Sequence, residues 1–90
     1  DYINARIKIK AITVDFSVIG ESGGRDDDLQ QIDGIDDSLE NRLITLGITT
    51  LDQISKMNDD MSDDVNDAIE YMPGRIRRQL WAEQAKILLE

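Results

Sequence analysis

Five aspartates crowd into the run NDDMSDDVND, at Asp59, Asp60, Asp63, Asp64 and Asp67. Clustered carboxylates are the ligands that hard divalent cations take. The run lacks the glycine and the bidentate glutamate of a calcium loop, and its acids fall where the first turns of a helix favour negative charge. A solvated, capping face is therefore expected, and no metal site. A second concentration of charge follows at Arg75, Arg77 and Arg78, and Arg42 could join them on a phosphate backbone. A nucleic-acid footprint would set aromatics or lysines beside such a patch. At a helix start these guanidinium groups are poorly placed for the helix dipole, so pairing with the acids of residues 59–70 is expected instead. The functional alternative for the patch is a partner's acidic surface.

The third candidate is the turn Asp33-Gly34-Ile35-Asp36. A tight glycine turn leading into a helix N-terminus offers backbone N–H groups to a phosphate. Here Asp33, Asp36 and Asp37 surround it, and a carboxylate at that spot occupies or repels the position a phosphate oxygen needs. The expectation is that Gly34 permits the bend and Asp36 or Asp37 caps the following helix.

The rest of the composition narrows the chemistry. The 90 residues include no cysteine and no histidine. That removes disulfides, thiolate nucleophiles, the usual zinc ligands and the usual acid/base group near neutral pH. No nucleophile–base pair is visible, so neither catalytic residues nor a cofactor is expected. The formal net charge is −9, and the first 24 residues carry three charges of each sign, so the whole excess lies in residues 25–90. Such a surface repels a polyanion at long range. No stretch is long and apolar enough for a membrane span, and no signal-peptide pattern is present. A cytoplasmic setting is expected, which the lack of cysteine fits. The sequence opens on Asp1 rather than Met, consistent with a processed product or a piece of a longer chain.

The elements that must position these groups divide at about residue 28. Residues 1–20 alternate, with Arg6, Lys8 and Lys10 against Ala5, Ile7 and Ile9, then Thr13, Asp15 and Ser17 against Ile12, Val14, Phe16 and Val18. The β-branched content predicts a strand with a bulge or bend near Ala11. One strand satisfies neither its backbone nor its apolar face alone. It must pair with another chain, within a larger protein, or as an irregular hairpin, and Ile7, Ile9, Ile12, Val14, Phe16 and Val18 form the candidate interface. Residues 21–28, ESGGRDDD, read as a charged linker.

Residues 27–90 read as four to five short helices. Asp26 to Asp28 can cap a helix with Leu29 and Ile32; Leu39, Leu43 and Leu46 line the next, ended by Gly47. Thr50 and Gln53 have capping-box spacing. Met61, Val65, Ala68, Ile69 and Met72 point inward from residues 58–72, with Met57 as further core filler. After Pro73-Gly74 a last helix carries Ile76, Leu80, Trp81, Ala85 and Leu88, with Trp81 a core anchor.

The stretch LQQIDGIDDSLENRLITLGITTLDQIS resembles the helix-hairpin-helix pattern, and YMPGRIRRQLWAEQAKILL resembles the Gly-Arg-Ile-x-Arg-x-x-Trp-x-x-Gln-Ala ending of one small domain of that kind. That domain extends some bacterial ribosomal proteins and some NADH dehydrogenase E subunits. The resemblance implies an all-α fold for residues 27–89 and a docking or assembly role. In DNA-binding members the turn holds a phosphate; here its second glycine is replaced by Asp36. The chain is accordingly expected to be a non-catalytic interaction module, with a protein partner or a second copy engaged through residues 3–19. A helix-hairpin-helix module that binds nucleic acid through Gly34, Arg42, Arg75, Arg77 and Arg78 is the alternative.

Overall fold

The computed structural model describes residues 2–20 and 26–90, and every regular element among them is helical. The α-helices are α1 (Tyr2–Lys10), α2 (Phe16–Ile19), α3 (Asp37–Leu46), α4 (Leu51–Ser55), α5 (Asp59–Ala68), α6 (Arg75–Arg78) and α7 (Trp81–Leu88). Single 3-10 turns occupy Ala11–Thr13 and Leu29–Gln31. Residues 21–25 of the expected linker lie outside the described residues, while Asp27 beyond them is fixed: its N–H donates to the Thr49 carbonyl (2.8 Å) and its carboxylate accepts from Leu51 N–H (2.9 Å).

The expected β segment is not formed. No strand exists among the described residues, and residues 2–19 fold as α1, a 3-10 turn and α2. The sequence carries a helical spacing beneath its alternation, since Ile7, Ala11 and Val14 are four and three residues apart and all turn toward the core. With no strand among the described residues to pair with, a helix satisfies its own backbone, and burial against a neighbour outweighs β propensity. Of the candidate strand interface, Ile7 and Val14 are core residues and Phe16 is half-buried, packed against the core. Ile9, Ile12 and Val18 are exposed.

Helix α1 packs across α3 and is pinned at its far end by Glu70. The Arg6 guanidinium donates to the Glu70 carboxylate, and Lys10 Nζ lies 3.8 Å from it. Glu70 raises the Arg6 pKa above its ordinary value, chiefly through that hydrogen bond. Helix α5 ends in a Schellman arrangement, with Tyr71 N–H on the Asn66 carbonyl and Glu70 N–H on that of Asp67. Glu70 thereby adopts φ +58°, a left-handed conformation that strains a residue with a side chain.

Two buried amides lock the remaining junctions. Gln53 completes the capping box with Thr50, its Oε1 accepting from the N–H groups of Thr49 (2.8 Å) and Thr50 (3.1 Å). Its Nε2 donates to the carbonyls of Gly20 and Gly47, tying the ends of α2 and α3 to the start of α4. Asn66 holds the loop after α5: Nδ2 donates to the carbonyls of Tyr71 and Met72, and Oδ1 accepts from Ile76 N–H (2.9 Å). Both amides use oxygen and nitrogen, which a buried amide requires.

The last expected helix is broken in two. Leu80 takes φ +58° between α6 and α7, with its N–H on the Arg77 carbonyl and its carbonyl accepting from Gln84 N–H. The break rotates the apolar stripe. Ile76, Trp81 and Ala85 are buried, whereas Leu80 and Leu88 face solvent. Met72, expected inward, is exposed because α5 stops at Ala68.

Candidate functional site

The hairpin turn comes first, because its glycine decides its shape. Gly34 sits at φ +105°, outside what residues with a Cβ adopt without strain. A Cβ there would lie 2.2 Å from Gln79 Oε1 and 3.2 Å from Trp81 Nε1. Close approach therefore needs glycine as much as the torsion does. Gln79 Oε1 accepts from Trp81 Nε1 (2.9 Å) and from the Tyr71 hydroxyl (3.4 Å), and the Tyr71 and Trp81 rings stack at 5.9 Å. Beside it, the Gln84 amide clasps the backbone of Asp33. Its Oε1 accepts from Asp33 N–H (2.9 Å), and its Nε2 donates to the carbonyls of Asp33 (3.2 Å) and Gln79 (2.8 Å). The break at Leu80 brings Gln79 and Gln84 to the turn together.

Past the turn, Ile35 is buried and its N–H bonds the Ile32 carbonyl. Asp36 is the cap expected of it, its carboxylate accepting from Leu39 N–H at 2.8 Å. Asp37 and Glu40 both accept from Gln30 Nε2, and Glu40 also accepts from Leu29 N–H (2.9 Å). Those bonds join the first turn of α3 to the 3-10 turn that opens the hairpin, itself capped by Asp28. The mouth of the motif is thus lined by Asp36, Asp37 and Glu40, and its flank is filled by Gln79, Trp81 and Gln84.

The four arginines do not form one patch. Arg77 reaches the carboxylates of Asp59 and Asp63, each at 3.3 Å, the internal pairing expected for it. Arg42 donates instead to the Ile69 carbonyl (3.1 Å), at the other end of α5. These two sites lie roughly 10–15 Å apart along that helix. Arg75 and Arg78 have no ion pair among the described residues. Asp59, Asp60, Asp63, Asp64 and Asp67 are all exposed, and among the described residues no three acidic groups converge to hold a metal ion.

Away from the hairpin, Asp15 caps α2. Its carboxylate accepts from the Ser17 hydroxyl and from Ser17 N–H (3.0 Å), which hold its pKa below the ordinary aspartate value. No helix is long and apolar enough to cross a membrane among the described residues.

Gln79, Gln84 and Glu70 were not singled out in the sequence. The Trp-x-x-Gln spacing of the tail carried a signal for Gln84. Gln79 and Glu70 carried none, because their roles arise from the left-handed turns that place them.

The family model described as the RS2/RL21/YNQ2 HHH domain matches residues 29–89, well over half of the chain. Comparison with curated proteins and with solved structures returned no match.

Proposed function

The chain belongs to the RS2/RL21/YNQ2 HHH domain family, and we propose that it serves as a non-catalytic protein-interaction and assembly module. The observation that carries this reading is the occupied turn. Where a phosphate would approach, Asp36 caps Leu39 N–H, Gln84 clasps Asp33, and Gln79 fills the space above Gly34. A net charge of −9 opposes the counterion release that drives nucleic-acid affinity. Arg42 bonds the Ile69 carbonyl, and Arg77 is held in a surface ion pair with Asp59 and Asp63. The setting in this proposal is cytoplasmic, on the strength of a cysteine-free sequence.

One observation favours the nucleic-acid reading: Arg75 and Arg78 are free of ion pairs among the described residues. Two phosphate contacts would give a shallow salt dependence, with log K falling against log salt at a slope of about −2. Titrating labelled single- and double-stranded DNA with the chain at low salt separates the two. The interaction reading predicts no anisotropy change for either DNA. A saturable complex that weakens with salt and is lost in Arg75→Ala/Arg78→Ala supports the alternative.

A further inference from the structure

Helix α1 buries one face and leaves a patterned one bare. Tyr2, Ala5 and Ile9 on α1, and Ile12 in the 3-10 turn that continues it, are spaced three, four and three residues apart, close to the a–d–a–d spacing of a helix–helix seam. All four are exposed, Tyr2 by 74%, Ile9 by 70% and Ile12 by 88%. Ile7 and Ala11 lie on the opposite side, turned to the core. Isolated exposed apolar residues are ordinary, but an aligned ridge of them is an unfilled contact. The Arg6 guanidinium lies over the Tyr2 ring at 4.8 Å while bonded to Glu70.

The flanks of the ridge say what fits it. From Tyr2 to Val14 the chain carries Arg6, Lys8 and Lys10 and no acid, although the protein as a whole has nearly twice as many acids as bases. Arg6 and Lys10 are directed to Glu70, which leaves Lys8 exposed beside the seam. A second copy of α1 would bring Lys8 toward an identical basic flank, and like charges at those positions disfavour pairing. A single narrow ridge with one free lysine beside it covers less apolar area, and carries less basic charge, than a helix that lies in a bilayer interface needs.

We propose that the outer face of α1 and of the 3-10 turn after it docks an acidic amphipathic helix of a partner protein, with Tyr2, Ala5, Ile9 and Ile12 meeting its apolar seam and Lys8 meeting its carboxylates. This rests on the interaction-module reading above and names the chemistry of the partner. Pairing of this kind follows the helix-in-groove logic in which apolar anchors give affinity and flanking charge selects the partner.

The test uses the whole chain and a fluorescein-labelled synthetic peptide of about three heptads, with Leu at a and d and Glu at e and g. Saturable anisotropy is expected with this peptide and none with its Lys-flanked counterpart. Ile9→Glu and Ile12→Glu should each weaken binding about tenfold or more, and Lys8→Glu by a few-fold, most visibly at low salt. Both isoleucines are exposed, so circular dichroism should match the parent; if Ile9→Glu unfolds, Ile12→Glu carries the comparison. Equal binding by the variants overturns the proposal. So does a light-scattering dimer that Ile12→Glu dissolves, or preferential binding to phosphatidylserine vesicles. A chain that binds neither peptide nor DNA overturns the α1 assignment alone. A chain that binds DNA with marked salt dependence overturns the interaction reading beneath it.

Discussion

Replacing Gly34 with alanine tests how the hairpin is built, and its effect can be worked out from two separable causes. The first is torsional. At φ +105° an alanine is strained by about 1–2 kcal/mol. The second is contact. The new Cβ would lie 2.2 Å from Gln79 Oε1 and 2.8 Å from its Cδ, so the amide must swing away. Gln79 is flexible, but moving it strips Trp81 Nε1 of its acceptor in a fully buried indole. Leaving such a donor unpaired costs about 1–3 kcal/mol. The sum is about 2–5 kcal/mol, a large share of the stability of a domain this size. In urea, with a slope of about 1 kcal/mol per molar, the midpoint should fall by about 2 M or more. Gln79→Ala removes the obstacle and its acceptor in advance. Gly34→Ala in that background should therefore lose only the torsional part, and the double variant should be more stable than the sum of singles by the contact part, about 1–3 kcal/mol. A loss under about 0.5 kcal/mol for Gly34→Ala, or strict additivity, would refute the packing of the turn against Gln79.

Leu80 is left-handed and exposed, so Leu80→Gly should raise stability by about 0.5–1 kcal/mol, read as a higher thermal midpoint. At Glu70, Gly and Ala variants both lose the Arg6 and Lys10 contacts, but Glu70→Gly also releases the φ +58° strain and should be more stable than Glu70→Ala by about 1 kcal/mol in urea. Asp15 has a folded pKa below its unfolded value of 3.8, so its contribution is present above 3.8 and lost as pH falls through the folded value. The Ser17 amide resonance should move in that acid window, and not between pH 5 and 8, and Asp15→Asn should abolish the movement.

Much of the helical part was legible because capping is a local code. Asp36, Thr50 with Gln53, and Gly47 all do what their neighbours in sequence implied, since each needs only three or four residues of chain, whereas Asp28 caps a single 3-10 turn where a helix was expected. The internal use of Arg77 was legible too, from charge sign and helix register. Residues 2–19 were misread because alternation and helical spacing coexist there. What decides between them is the α3 face that Ile7 covers, and that face is remote in sequence. The last helix was misread for a related reason. A leucine gives no sign that it will adopt φ +58°, and only the turn at Asp33 and Gly34, some fifty residues earlier, explains why Gln79 and Gln84 must converge. Arg42 was assigned to a surface patch by charge alone, whereas its guanidinium satisfies a helix-end carbonyl at Ile69.

In this reading the hairpin turn builds the domain and does not grip a phosphate. Amide chemical shifts of Gly34, Ile35 and the first turn of α3 from Asp37 to Leu39, followed while duplex DNA is added at low salt, decide between the two roles. These resonances should stay in place, with any weak perturbation confined to Arg75 and Arg78. Saturable movement of the Gly34, Ile35 and Leu39 amides would contradict it, because it would put a phosphate where Asp36 and Gln84 now bond.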